Sequence, residues 1–214
     1  RGFLGTTSAL VAGALAQPLL AADRDWSGRQ PVRYPDPDII SLDPRFGKYK
    51  IGNTPIQRLH TGMLWAEGPA WNSVGRYLVW SDIPNNRILR WDECSGTTSA
   101  FRSPSHHANG LARDRQGRLL ACEHLTRRIT RTDYNGRITV LAERFEGKRL
   151  NSPNDIVCAQ DGGIWFTDPL FGINGEWEGS KAKPEQATTN VYRIAADGKL
   201  SAVITDLVNP NGLA

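Results

Sequence analysis

The sequence predicts an all-β chain built from repeated four-stranded blades, a β-propeller, on three observations. Glycine is abundant, at 21 of 214 residues, and separates short apolar runs, the pattern of strands joined by tight turns. Three segments beginning at Glu67, Asn109 and Asn154 fall into register, each reaching a glycine eight positions on, at Gly75, Gly117 and Gly162. A fourth start, N-G-L-A, follows at Asn211. Self-similarity with a period near 45 residues is the signature of a blade array rather than of a sandwich.

Each element follows from the register. The repeats open as E-G-P-A-W-N-S-V-G-R-Y-L-V-W-S-D (67–82), N-G-L-A-R-D-R-Q-G-R-L-L-A-C-E-H (109–124) and N-D-I-V-C-A-Q-D-G-G-I-W-F-T-D-P (154–169), giving two strands across a turn. Third strands are predicted at 87–92, 128–133 and 191–196, then turns carrying Gly96, Gly136 and Gly198. Short β-rich runs at 137–141 and 200–204 complete the second and third units. Unit starts are 42, 45 and 57 residues apart, and the longest interval holds a Gly-, Glu-, Lys- and Pro-rich insertion at 172–189. The insertion reads as a loop between strands two and three of the third blade. Three blades and four residues of a fourth cannot close a ring, so a fragment is expected.

Residues 1–22 read as an export signal. Phe3–Ala16 is small and apolar, too short to span a bilayer, and ends in Ala-Leu-Ala. Arg1 followed by x-F-L suggests the second arginine of a twin-arginine signal, hence a periplasmic or secreted protein with no membrane insertion once the signal is removed. An N-terminal helix of the domain is the alternative. Residues 23–60, with Pro31, Pro35, Pro37, Pro44 and Pro55, form an extension expected to wrap the ring or to supply a strand, and 61–214 form the partial propeller.

Composition excludes some classes. Apolar residues make up 39% and charged residues 22%, as in a soluble globular protein. The net charge of +4 is dispersed, which argues against nucleic-acid binding. Cys94, Cys122 and Cys158 are odd in number and lack C-x-x-C spacing, so neither structural zinc nor a full disulfide framework is expected.

The chemistry should lie where the repeats open. The inner strand of each blade lines the channel, so Glu67, Asn109, Asn154 and Asn211 should converge on one mouth. One carboxylate and several amide carbonyls make an oxygen cage suited to a hard divalent cation, Ca²⁺ before Zn²⁺, Mg²⁺ or Mn²⁺. N-G and N-D pairs are also ordinary turn formers, and it is their recurrence at one phase, beside a glutamate, that favours the cage. His106 and His107 precede Asn109 near the same mouth, as substrate contacts, proton-transfer groups or plain surface loop. Glu123, His124 and Asp168 end second strands, where core hydrogen bonding is the commoner role. Arg127 and Arg128 either bind substrate or are solvated. Ser152 is no nucleophile, because no G-x-S-x-G elbow exists.

E-G-P-A-W at 67–71, R-L-N-S-P-N-D at 149–155 and N-P-N-G-L-A at 209–214 resemble the signature segments of the regucalcin/gluconolactonase family. S-D-I-P-N-N-R-I-L-R-W at 81–91 and E-H-L-T-R-R at 123–128 are similar to its bacterial gluconolactonase branch. The resemblance implies a six-bladed propeller and a metal-dependent hydrolase that opens a small sugar lactone, such as gluconolactone, to its acid. It implies metal ligation by Glu67 and Asn211, with Asn154 touching metal or substrate, and a substrate contact from Asn109; His107 is a substrate-contact candidate by its position alone. The aspartate it implies as third ligand and catalytic base would lie beyond Ala214, so the 214 residues alone are expected to be inactive. Hydrolysis of other lactones or esters, or a metal-stabilised binding propeller without catalysis, are the competing readings.

Overall fold

The computed structural model describes residues 24–214, so the expected export signal lies outside the described residues. The chain divides into two compact units between Arg58 and Leu59. The first holds a 3-10 turn at Pro44–Tyr49 and, among its described residues, no strand. Its organiser is Asp36, buried and bridged by Arg24, with the Ile56 amide donating to the same carboxylate.

The second unit is three antiparallel sheets of four strands, each in sequence order. The first contains β1 (Ala66–Asn72), β2 (Tyr77–Asp82), β3 (Arg87–Asp92) and β4 (Thr98–Arg102). The second contains β5 (Ala108–Arg113), β6 (Leu119–Glu123), β7 (Arg128–Thr132) and β8 (Ile138–Ala142). A two-stranded hairpin, β9 (Arg144–Phe145) and β10 (Lys148–Arg149), leads to β11 (Ile156–Cys158), β12 (Ile164–Asp168), β13 (Asn190–Ile194) and β14 (Leu200–Ile204). The fold is therefore the predicted all-β propeller, in three blades. The insertion falls where the spacing put it, between β12 and β13, and opens with one helical turn, α1 (Phe171–Asn174).

The turns use glycine where the backbone turns left-handed. Gly96, Gly117, Gly136, Gly162 and Gly198 all have φ between +69° and +86°, a region costly for residues with a Cβ. The first turn of blade one, between β1 and β2, differs: its left-handed residue is Arg76, and Gly75 instead leaves room for the Tyr77 ring, 2.4 Å from where a Cβ would stand.

Apolar side chains fill the space between blades rather than one central core. Ala70, Val79, Ile88, Leu111, Leu119 and Ala121 knit blade one to blade two. Leu120, Ile129, Leu150, Ile156, Phe166 and Tyr192 do the same for blades two and three, with the Phe166 and Tyr192 rings stacked at 5.3 Å. β6 lies between two such layers and is buried throughout, whereas β4 and β8 are outer strands and partly exposed. Burying a Phe166-sized side chain contributes about 1.5–3 kcal/mol, so each seam between blades adds several such increments.

Candidate functional site

The opening of each blade is irregular in the same way. The β1–β2 register slips between Glu67 and Ala70, and the β5–β6 register between Ala108 and Leu111, one extra residue each time. In blade three, Thr167 pairs with two successive residues: its N–H donates to the Asp155 carbonyl and its carbonyl accepts from the Asn154 N–H. Such bulges re-aim side chains and occur beside functional sites.

The bulges also stitch one blade to the next. A Cβ on Gly68, whose φ is +57°, would stand 2.3 Å from the Asn109 carbonyl oxygen, and one on Gly110 would stand 2.5 Å from that of Asn154. Gly110 N–H donates to the Asn154 carbonyl at 2.7 Å. Ser81 in β2 donates its hydroxyl to the Asn109 carbonyl at 2.7 Å, and Thr167 in β12 does the same to Asn211. Asp155 accepts from the Leu213 N–H at 2.8 Å, so the N-G-L segment at 211–213 occupies the phase of a fourth blade opening. A cavity of about 470 Å³ runs along the inner strands, with Gly68, Leu111, Asp155 and Leu213 among its walls, whereas Glu67, Asn109, Asn154 and Asn211 do not line it.

The predicted residues sit on this frame with different surroundings. Glu67 is exposed, and one carboxylate oxygen accepts from Trp65 Nε1 at 3.1 Å. Asn154 is 4% exposed, and its amide makes no hydrogen bond among the described residues and keeps access to solvent. Asn211 is exposed and is held through its backbone. Asn109 is buried, with Nδ2 3.4 Å from His124 Nε2. His107, left-handed at φ 52°, places Nδ1 2.9 Å from the Ile83 carbonyl, and Asn86 Oδ1 accepts from its N–H. His106 is left-handed too, and its carbonyl accepts from Leu125 N–H. Among the described residues, no three His, Cys, Asp or Glu side chains form a metal-holding group.

Other sequence candidates are structural. Glu123 is fully buried and accepts from Thr126, Arg128 and Thr130. Asp82 and Asp168 end β2 and β12 in the same phase and are equally buried. Burial pushes the Asp168 carboxyl up to about 7, against the Asn151 N–H that donates to it. Arg127 is neither solvated nor free for substrate: it is buried and donates Nε to the Leu150 and Asn151 carbonyls. Ser152, buried, donates to the Pro169 carbonyl and accepts from Gly172 N–H. Arg128 does not float in solvent either, because it is tied to Glu123.

Two further residues belong with the site. Strand two of a blade runs toward the end where strand one begins, so the β12–β13 insertion emerges at that end. Gly172 packs on the His124 ring, and Gly179 packs on the Gly172 carbonyl, leaving no room for a Cβ at either position. That brings Glu178 over His124: its carbonyl lies 3.0 Å from Nδ1 and its carboxylate 3.6 Å away. Burial holds His124 down to about 4, so the ring is neutral and the carboxylate approach is not an ion pair. The Glu178 carboxyl is raised, chiefly by burial and further by the Glu67 charge. The position of a loop insertion on the strand-end face was the available signal for Glu178; its partner was not readable.

Residues 65–214 match the family model described as SMP-30/Gluconolactonase/LRE-like region. A gluconolactonase of Zymomonas mobilis is 33% identical over 190 residues, 82% of this chain and 52% of that protein. The structure of a gluconolactonase from Xanthomonas campestris is 46% identical, with a TM-score of 0.66, over 69% of this chain and 49% of that one. A calcium-binding regucalcin structure from Agrobacterium tumefaciens, 22% identical with a TM-score of 0.51 over 70% of this chain and 46% of that one, shares the fold. The chain spans about half the length of these relatives. With three bulged blades and a fourth opening in phase, the chain belongs to the SMP-30/gluconolactonase/LRE-like family.

Proposed function

We propose that the protein is a divalent-cation-dependent hydrolase that opens a hydroxyl-bearing sugar lactone, gluconolactone-like, to its acid. The observation that carries this reading is the donor set at equivalent blade openings: one carboxylate, Glu67, with the amides of Asn154 and Asn211, the Asn154 amide making no protein hydrogen bond among the described residues and keeping access to solvent. These oxygen donors fit a hard cation, Ca²⁺ first, and offer it neither sulfur nor imidazole. A cation bound there would supply Lewis-acid polarisation of the lactone carbonyl.

The chain's own groups bind and orient. Asn109 is held through its carbonyl by Ser81 and through Nδ2 by His124, which leaves its amide oxygen for substrate. His107 directs Nδ1 at a carbonyl, which can only accept, so Nδ1 is the donor of that bond and Nε2 is the ring atom left to face a substrate hydroxyl. Identity of 33% and 46% to gluconolactonases supports lactone ring-opening as the reaction class. The Phe3–Ala16 stretch supports export as part of the same reading.

The test is acid release from glucono-δ-lactone by the full-length protein in a pH-stat, before and after chelation and with each divalent cation added back, alongside calorimetric titration of the cation. Acid release that needs the cation is the expected result. Cation binding without acid release from any lactone would overturn the enzymatic reading.

A further inference from the structure

His124 closes the second strand of blade two without exposed surface, and three neighbours fix its ring. The Glu178 carbonyl lies 3.0 Å from Nδ1, Asn109 Nδ2 lies 3.4 Å from Nε2, and Gly172 packs so closely that a Cβ there would come within 2.5 Å of Cγ. A carbonyl only accepts, so Nδ1 carries the proton. Burial keeps the ring neutral, so Nε2 carries the lone pair. Only the amide nitrogen of Asn109 can then face Nε2. The other arm of the amide, Oδ1, has no protein partner among the described residues.

We propose that His124 is a positioning residue: it fixes the Asn109 amide with its oxygen presented as an acceptor to a substrate hydroxyl. The insertion at 172–189 sets this orientation, because the tautomer that decides it is chosen by the Glu178 carbonyl. Orientation of one ring nitrogen by a hydrogen bond to the other is the general means of fixing such a tautomer. The charged and titratable groups around the ring are the Glu178 carboxylate at 3.6 Å and His107, which disfavours a second proton. An amide locked this way selects for a hydroxyl at that point of the substrate. A lactone lacking it would cover that acceptor without supplying a donor, a strong basis for rejection. The substrate class rests on the lactonase reading above; the orientation of the amide does not.

The experiment is ¹⁵N NMR of the histidine rings in the protein at pH 7, with His124→Gln used to assign the signal by its loss. The expected spectrum has protonated Nδ1 and bare Nε2 at His124. In Asn109→Asp a carboxylate faces Nε2, and the ring is expected to become doubly protonated. A proton on Nε2 in the wild type, or an unchanged neutral ring in Asn109→Asp, overturns the proposal. In kinetics, His124→Phe is expected to raise KM for gluconolactone about tenfold while kcat stays within about twofold, and His124→Gln, which keeps one donor and one acceptor, to recover most of the loss. Unchanged KM in a folded His124→Phe also overturns it; if that variant does not fold, the two NMR arms decide. A full-length wild type with the expected tautomer and no lactone turnover would sink the lactonase reading and leave the positioning role standing.

Discussion

The Thr167 hydroxyl donates to the Asn211 carbonyl at 2.7 Å while accepting from the Asp155 N–H at 3.0 Å. One side chain of the third blade thus anchors the opening of the next repeat and satisfies the backbone beside its own bulge. Thr167→Val keeps the shape and removes both bonds. It should cost about 1–3 kcal/mol, because two backbone groups lose their partner, and denaturant unfolding measures it. Ser81→Ala, which frees only the Asn109 carbonyl, should cost less.

Glycines at the seams and in the turns should respond differently. Gly68→Ala and Gly110→Ala drive a Cβ into the neighbouring backbone, at 2.3 and 2.5 Å, and should each cost more than about 2 kcal/mol and weaken cation binding by shifting adjacent openings. Gly96→Ala meets nothing within 4 Å and strains only a φ of +69°, so about 1 kcal/mol is expected. Equal losses at all three sites would contradict the close-approach argument.

Asp168 gives a pH dependence with a definite sign. Its folded pKa, about 7, lies above the ordinary aspartate value of 3.8, so between these values the folded state holds more proton than the unfolded one. Stability contributed by the protonated acid is full below about 4 and is lost as pH rises toward 7. Asp168→Asn, which cannot ionise, should therefore gain on the wild type by on the order of 2–4 kcal/mol between pH 4 and pH 8, read from paired unfolding curves. A constant difference across that range would refute the buried neutral acid.

Thiol reactivity should follow burial. Cys94 is exposed and should react with a chromogenic disulfide at once. Cys122 has no exposed surface and burial pushes its thiol up, so it should react only on unfolding, with the partly buried Cys158 between them.

Glu67→Gln removes the only formal charge from the candidate donor set. Ca²⁺ affinity should fall at least about tenfold by calorimetry, since ligand charge tunes such sites. Trp65→Phe deletes the indole N–H that holds one Glu67 oxygen and should weaken binding less.

Much of this was legible before any coordinates. The spacing of Glu67, Asn109, Asn154 and Asn211 gave both the blade count and the common phase of their strands, because a repeat of strands and turns leaves a period in the chain. The place of the 172–189 insertion followed from the same count. Arg127 was misjudged for a plain reason. A guanidinium next to another arginine looks solvated in one dimension, and its partners, the Leu150 and Asn151 carbonyls, lie 23 and 24 residues away.

What the sequence by itself determined is the architecture and the chemical type of the mouth: an all-β blade array whose openings carry oxygen donors. Periodic patterns of apolar residues, glycines and polar openers record those directly. Only the tertiary structure decided how each donor is held. The Ser81 and Thr167 hydroxyls reach across blade seams, the glycines at 68 and 110 bring backbones into contact, and the loop bearing Glu178 folds back onto His124 and, through it, Asn109. Those contacts join residues 15 to 54 positions apart. They depend on how blades stack and where a loop docks, and no local pattern in the chain encodes either.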